Sequence, residues 1–93
     1  IIKSFSKKHI FTKKNIIFNS ISPGPIFIKN TGWDDERRKN PNKFKKKINK
    51  MIPTKHLGKP EDITPLCLFL SSDYAKYING SNIVIDGGVS NAL

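Results

Sequence analysis

The sequence predicts an α/β chain built on short parallel strands, and three observations carry that prediction. Residues 16–21 (Ile-Ile-Phe-Asn-Ser-Ile) are β-branched and nearly continuous in apolar character, as in a strand buried on both faces, and residues 82–85 (Asn-Ile-Val-Ile) form a second, shorter run. Each run ends in a turn-forming loop, Ser22-Pro23-Gly24-Pro25 and Asp86-Gly87-Gly88, where the chain must leave a sheet. Between the runs the apolar residues recur at helical spacing, so the strands are joined through helices as in a βαβ unit.

The elements follow in order. Residues 2–14 read as the tail of a helix, with Ile2, Phe5, Ser6, His9 and Ile10 near helical spacing and Lys13-Lys14 in the last turn, where cations suit the dipole. The first strand follows. Residues 27–41, with Gly32, Trp33 and the acidic triplet Asp34-Asp35-Glu36, read as an irregular flap; three consecutive carboxylates serve as a helix-start signal rather than a cation site. The flap leads into a lysine-coated helix over roughly residues 42–51, where Phe44, Ile48 and Met51 make one apolar stripe. A helix near residue 60 has Asp62 as its expected N-cap and Pro65 in its first turn. Its expected buried face is Ile63, Leu66, Cys67, Leu70 and Tyr74, with Cys67 a small core residue. Asn79-Gly80-Ser81 is a turn into the second strand.

Composition narrows the function. Ninety-three residues make at most one small domain, and a single cysteine cannot form an internal disulfide, so a reducing cytoplasmic setting is expected. The longest apolar stretch, residues 66–70, is far short of the roughly 20 residues a membrane span needs. Charge is uneven: residues 1–59 hold sixteen Lys and Arg against three acids, while residues 60–93 hold one Lys against four acids. Clustered lysines raise the alternative of a small basic nucleic-acid-binding protein. A wet helix face is the better account of the run at residues 43–50, because Lys, Ile and Asn together supply 38 of the 93 residues, so nucleic acid is not the expected partner. His9 and His56 lack a third ligand at metal spacing, and no metal site is expected.

In open parallel sheets, ligands sit beyond the carboxyl ends of the strands, which is where both glycine loops fall. Here Asn19-Ser20-Ile21-Ser22-Pro23-Gly24-Pro25-Ile26, Gly58-Lys59-Pro60-Glu61-Asp62-Ile63, Phe69-Leu70-Ser71-Ser72-Asp73, Ile78-Asn79-Gly80-Ser81 and Ile85-Asp86-Gly87-Gly88 follow one another in register. Together they resemble the C-terminal third of a short-chain dehydrogenase/reductase. The resemblance implies the C-terminal part of a doubly wound, parallel-sheet Rossmann-like fold spanning residues 1–93 (helix, strand, flap helix, helix, strand), with residues 27–59 as its substrate-loop insert. It implies an oxidoreductase using NAD or NADP on a small carbonyl or alcohol substrate, and a tetramer in the complete protein, built through the helix at Ile63, Leu66 and Leu70 and the last strand.

The resemblance also assigns residues. Pro23 and Gly24 run along the nicotinamide, and Ile26 holds its carboxamide through backbone amide and carbonyl, as a flat group with one donor and one acceptor requires. Ile28 stands where the family usually has a cofactor-contacting Thr. Trp33 either walls the substrate pocket or anchors the loop, and Asp86 reads as a turn cap rather than a catalytic acid. No catalytic residue is assigned: the chain has no Tyr-x-x-x-Lys, and its six glycines give no pyrophosphate-loop spacing. The chain is therefore expected to be inactive by itself and, with two strands that cannot cover both faces of a sheet, partly unfolded alone.

Overall fold

The computed structural model describes residues 2–91. In chain order it holds helices α1 (Ile2–Ser6) and α2 (His9–Lys13), strand β1 (Ser20–Pro23), helices α3 (Gly32–Lys39), α4 (Pro41–Met51) and α5 (Pro60–Leu70), and strand β2 (Asn82–Ile85). The strands pair in parallel with Ser20 opposite Asn82 and Pro23 opposite Ile85. The α/β class and the order of elements are as the sequence predicts.

Four local expectations need correction. The first helix is two short helices, broken at Lys8, which is extended at φ −79° and ψ 114°. On one straight helix Phe5 and Phe11 would point about 120° apart. The break lets both rings reach Phe18, at 5.3 Å and 5.1 Å between centroids.

The first strand is paired over residues 20–23 rather than 16–21. Upstream of Ser20 the two segments stay joined by a backbone bond from the Gly80 amide to the Phe18 carbonyl at 2.7 Å, and side-chain amides supplement it: Asn19 Nδ2 donates to the Ile78 carbonyl at 2.8 Å and its Oδ1 accepts from the Ser81 amide at 3.0 Å. Asn79 reciprocates, accepting from the Phe18 amide at 3.2 Å and donating to the Ser6 carbonyl at 2.6 Å. Pro23 ends the strand without cost, because the amides of Ser20 and Gly24 face β2 and the odd positions face away. The sheet side chains are half-buried or exposed, not buried on both faces, since no third strand pairs with β1 or β2 among the described residues.

The flap is helical where an irregular segment was expected. Asp34 and Asp35 lie in the first turn of α3, with Arg37, Arg38 and Lys39 in the last, which suits the dipole. Arg37 to Asp34 and Arg38 to Asp35 are each 2.7 Å pairs one turn apart. Glu36 then ties α3 to α4 through Lys47 at 2.7 Å. Helix α4 is capped by Asn40, whose side chain accepts from the Lys43 amide at 3.1 Å ahead of Pro41 at the first position.

Helix α5 starts at Pro60, with Lys59 rather than Asp62 at its cap; Asp62 instead accepts the Lys59 amide at 2.8 Å. Pro65 therefore sits inside the helix rather than in its first turn. The predicted buried face is only partly buried: Ile63, Leu66 and Leu70 are intermediate, Cys67 is exposed and Tyr74 is 91% exposed. An open cleft of about 350 Å³ lies between Ile17 and Ile21 on one side and Cys67 and Leu70 on the other.

The core lies in the flap: Ile48, Ile52 and Leu57 are buried, with Phe27, Trp33, Phe44, Met51 and Val89 packed around them. The chain is extended, at 54 × 29 × 21 Å with a radius of gyration of 17.1 Å. A compact domain of this length has about 13 Å. No helix among the described residues is long and apolar enough to cross a membrane.

Candidate functional site

The two glycine loops meet at the carboxyl ends of the strands. The Gly24 amide donates to the Ile85 carbonyl at 2.8 Å, extending the ladder one residue past Pro23. A Cβ on Gly24 would lie 2.4 Å from Asp86 Cβ and 2.7 Å from its Cα, so only glycine lets the loops touch. Gly87 has φ +65°, a conformation that L side chains rarely adopt. Its carbonyl accepts the Thr54 amide at 3.2 Å, which fastens the end of the flap to the turn after β2.

Asp86 is the turn cap its sequence context predicts. Its two carboxylate oxygens accept the Gly88 amide at 2.9 Å and the Ser90 amide at 2.8 Å. Hydrogen bonds from Ser90, then from the Gly88 amide, hold its carboxyl below the usual carboxylate range.

Ile26 forms a parallel bridge with Gly58. The bonds that make it belong to the neighbours: Gly58 donates to the Pro25 carbonyl at 3.0 Å, and the Phe27 amide donates to the Gly58 carbonyl at 2.8 Å. Alternation along an extended segment then turns the Ile26 amide and carbonyl to the opposite side, together. Neither has a partner among the described residues. One donor and one acceptor side by side fit a planar carboxamide, and the bridge to Gly58 holds them rigid. Sequence reasoning quoted Gly58 within a motif and gave it no role; the signal was its lack of a side chain, since a Cβ there would lie 2.8 Å from Ile26 Cδ1.

The remaining predicted residues fall elsewhere. Ile28 is 51% exposed, and its carbonyl accepts the Thr31 hydroxyl at 2.6 Å, so that nearby hydroxyl is already engaged. Trp33 packs on the flap core with Phe44, ring centroids 6.5 Å apart, beneath the Lys47 ammonium at 5.4 Å. It lines neither the cavity of about 150 Å³ beside Pro25, Ile26 and Asp86 nor the larger groove on the flap. Among the described residues no three His, Cys, Asp or Glu side chains are grouped to hold a metal ion.

A parallel strand pair with helical crossover and glycine loops meeting at its carboxyl ends defines part of a Rossmann-type α/β fold. Residues 9–90 match the family described as enoyl-(acyl carrier protein) reductase. The chain is 36% identical over 81 residues to isoepoxydon dehydrogenase patN of Penicillium expansum, covering 87% of this chain and 31% of that protein. Among solved structures it is similar to 4-hydroxyisoleucine dehydrogenase complexed with NADH, at TM-score 0.78 and 36% identity, over 99% of this chain and 35% of that one. It is also similar to YwfH, an NADPH-dependent reductase involved in bacilysin biosynthesis, at TM-score 0.77 and 30% identity, over 99% and 36% of the two chains. The chain belongs to the short-chain dehydrogenase/reductase family, and it spans about a third of the length of these relatives.

Proposed function

We propose that this chain is the carboxyl-terminal portion of an NAD(P)-dependent oxidoreductase acting on a small carbonyl or alcohol. The observation that carries this reading is the unpartnered amide and carbonyl of Ile26, turned outward by the bridge to Gly58. NADH in the 4-hydroxyisoleucine dehydrogenase structure and the NADPH dependence of YwfH support a nicotinamide as the group they hold. When bound, a nicotinamide supplies the hydride donor or acceptor. This chain's residues then bind and orient: Ile26 takes the carboxamide, Pro23 and Gly24 border the ring, and Asp86 fixes the turn beneath them.

No residue of this chain fills the proton-transfer role of a Tyr-x-x-x-Lys pair, so the 93 residues alone are inactive in this reading. Residues 27–59 serve as the substrate loop, and Trp33 acts as its anchor. Leu68, 68% exposed, and Phe69, 44% exposed, leave α5 with an outward apolar face that supports assembly into a tetramer.

The test is a chimera in which these residues replace the matched segment of 4-hydroxyisoleucine dehydrogenase, with NADH affinity as the readout. Replacing the backbone amide of Ile26 by an ester removes one donor and leaves the side chain. Affinity falls roughly 2- to 10-fold, the worth of one hydrogen bond. Unchanged affinity in a folded chimera would remove Ile26 from the cofactor.

A further inference from the structure

Helices α3 and α4 lean over the segment after Ile26 and leave a groove of about 560 Å³, within the roughly 300–1,000 Å³ of small-ligand sites. Its floor is apolar, made by Phe27, Phe44, Ile48 and Leu57. Its edge is basic. Lys45, Lys55 and Lys59 border it, and none of the three has an ion-pair partner among the described residues. The flap's own acids are engaged elsewhere, Asp34 and Asp35 with Arg37 and Arg38, and Glu36 with Lys47. Arg37 also reaches the groove, but Asp34 holds it and its guanidinium lies over the Phe27 ring at 5.7 Å, so it walls the groove as a flat surface.

No acidic side chain lines this groove among the described residues. An apolar floor gains by covering hydrocarbon, and uncompensated lysines at its mouth gain by meeting a negative head. A nucleic acid meets the second condition and leaves the floor wet. Pro23, Gly24 and Ile26 do not border the groove, so it is separate from the proposed cofactor loop. We propose that it binds a free anionic amphiphile, a single alkyl chain with a carboxylate or phosphate head.

Decanoate below its micelle concentration is titrated calorimetrically into the chimera with 4-hydroxyisoleucine dehydrogenase, with decanol as the uncharged twin and unaltered 4-hydroxyisoleucine dehydrogenase as the blank. Decanoate is expected to saturate at one site, and decanol to bind about tenfold more weakly. The double variant Lys45→Glu/Lys59→Glu, with its helical circular dichroism checked, is expected to weaken decanoate by at least about tenfold. Lys13→Glu/Lys14→Glu, which reverses the same charge away from the groove, is expected to leave the affinity unchanged. Equal binding of decanol, equal loss in the two double variants, no saturation, or binding only to phosphatidylglycerol vesicles each overturns the proposal.

Discussion

Gly24 and Asp86 pack backbone to backbone: the Gly24 amide reaches the carbonyl just before Asp86, and a single methyl on Gly24 would meet Asp86 Cβ at 2.4 Å. The loops that close β1 and β2 are therefore one structural unit, joined where a ligand would lie.

Gly24→Ala is expected to force these loops apart. The obstructing atoms are the Asp86 Cα and Cβ, which have no flexible end to swing away, so overpacking costs about 1–3 kcal/mol. Urea midpoints of the chimera with and without the substitution measure it. Gly32→Ala is the control, since nothing lies within 4 Å of its Cβ, and there a gain of about 0.4–1 kcal/mol is expected from the unfolded chain's lost freedom.

Gly87→Ala combines two penalties. Its φ of +65° costs an L residue roughly 1–2 kcal/mol, and the new Cβ would meet Thr54 Oγ1 at 2.6 Å and Ile52 Cγ2 at 2.8 Å. Because the Gly87 carbonyl holds Thr54, faster hydrogen exchange at the Thr54 amide should accompany the lost stability. Protection unchanged at Thr54 would show that the flap does not depend on this turn.

Ile28→Thr probes the departure from the family pattern. In the chimera, a hydroxyl at position 28 is expected to tighten NADH by up to one hydrogen bond, roughly 2- to 10-fold. No gain would mean that the exposed position does not face the cofactor.

The order of elements, the helix stripe at Phe44, Ile48 and Met51, and the place of both glycine loops at the ends of strands were legible because each depends on neighbours in sequence or on a residue type with one use. The late start of β1 was not, because the side chains of Asn19 and Asn79 take a share of the pairing across about sixty residues, and an asparagine in an apolar run carries no mark of that. Cys67 and Tyr74 were placed inside by helical period alone, yet a period states which residues share a face and not whether anything covers it. The role proposed for Ile26 rests on resemblance, and the structure adds that its amide and carbonyl turn outward together. The bridge to Gly58 that turns them outward needed the fold.

Acid should loosen the flap. Asp34 is 2% exposed, accepts the Asn30 amide at 2.8 Å and the Arg37 guanidinium at 2.7 Å, and its carboxyl is held below the usual range by these two bonds, the amide first. A carboxylate depressed on folding adds stability that is present above its unfolded pKa of about 3.9 and is lost as pH falls through the lower folded value. Trp33 fluorescence, which senses α3 and α4, is therefore expected to change below about pH 4. Asp34→Asn should be weaker at neutral pH and flat across that window, whereas Asp35→Asn, at an exposed pair, should keep the transition.

The last expectation concerns the chain by itself. A radius of gyration of 17.1 Å and four buried apolar residues among those described, Ile48, Ile52, Leu57 and Ala75, leave little apolar burial to oppose the roughly 1–2 kcal/mol per residue of backbone entropy. Three of those four sit in the flap, so the flap is where residual order should persist. Circular dichroism of the 93-residue chain in urea is expected to show a gradual loss of signal, and the grafted chimera a single sharp transition. Ile52→Ala, at 1% exposure, removes the residual helix of the isolated chain and lowers the chimera by about 2–5 kcal/mol. A sharp transition in the isolated chain would show instead that the flap core and the Asn19–Asn79 stitching suffice to fold it.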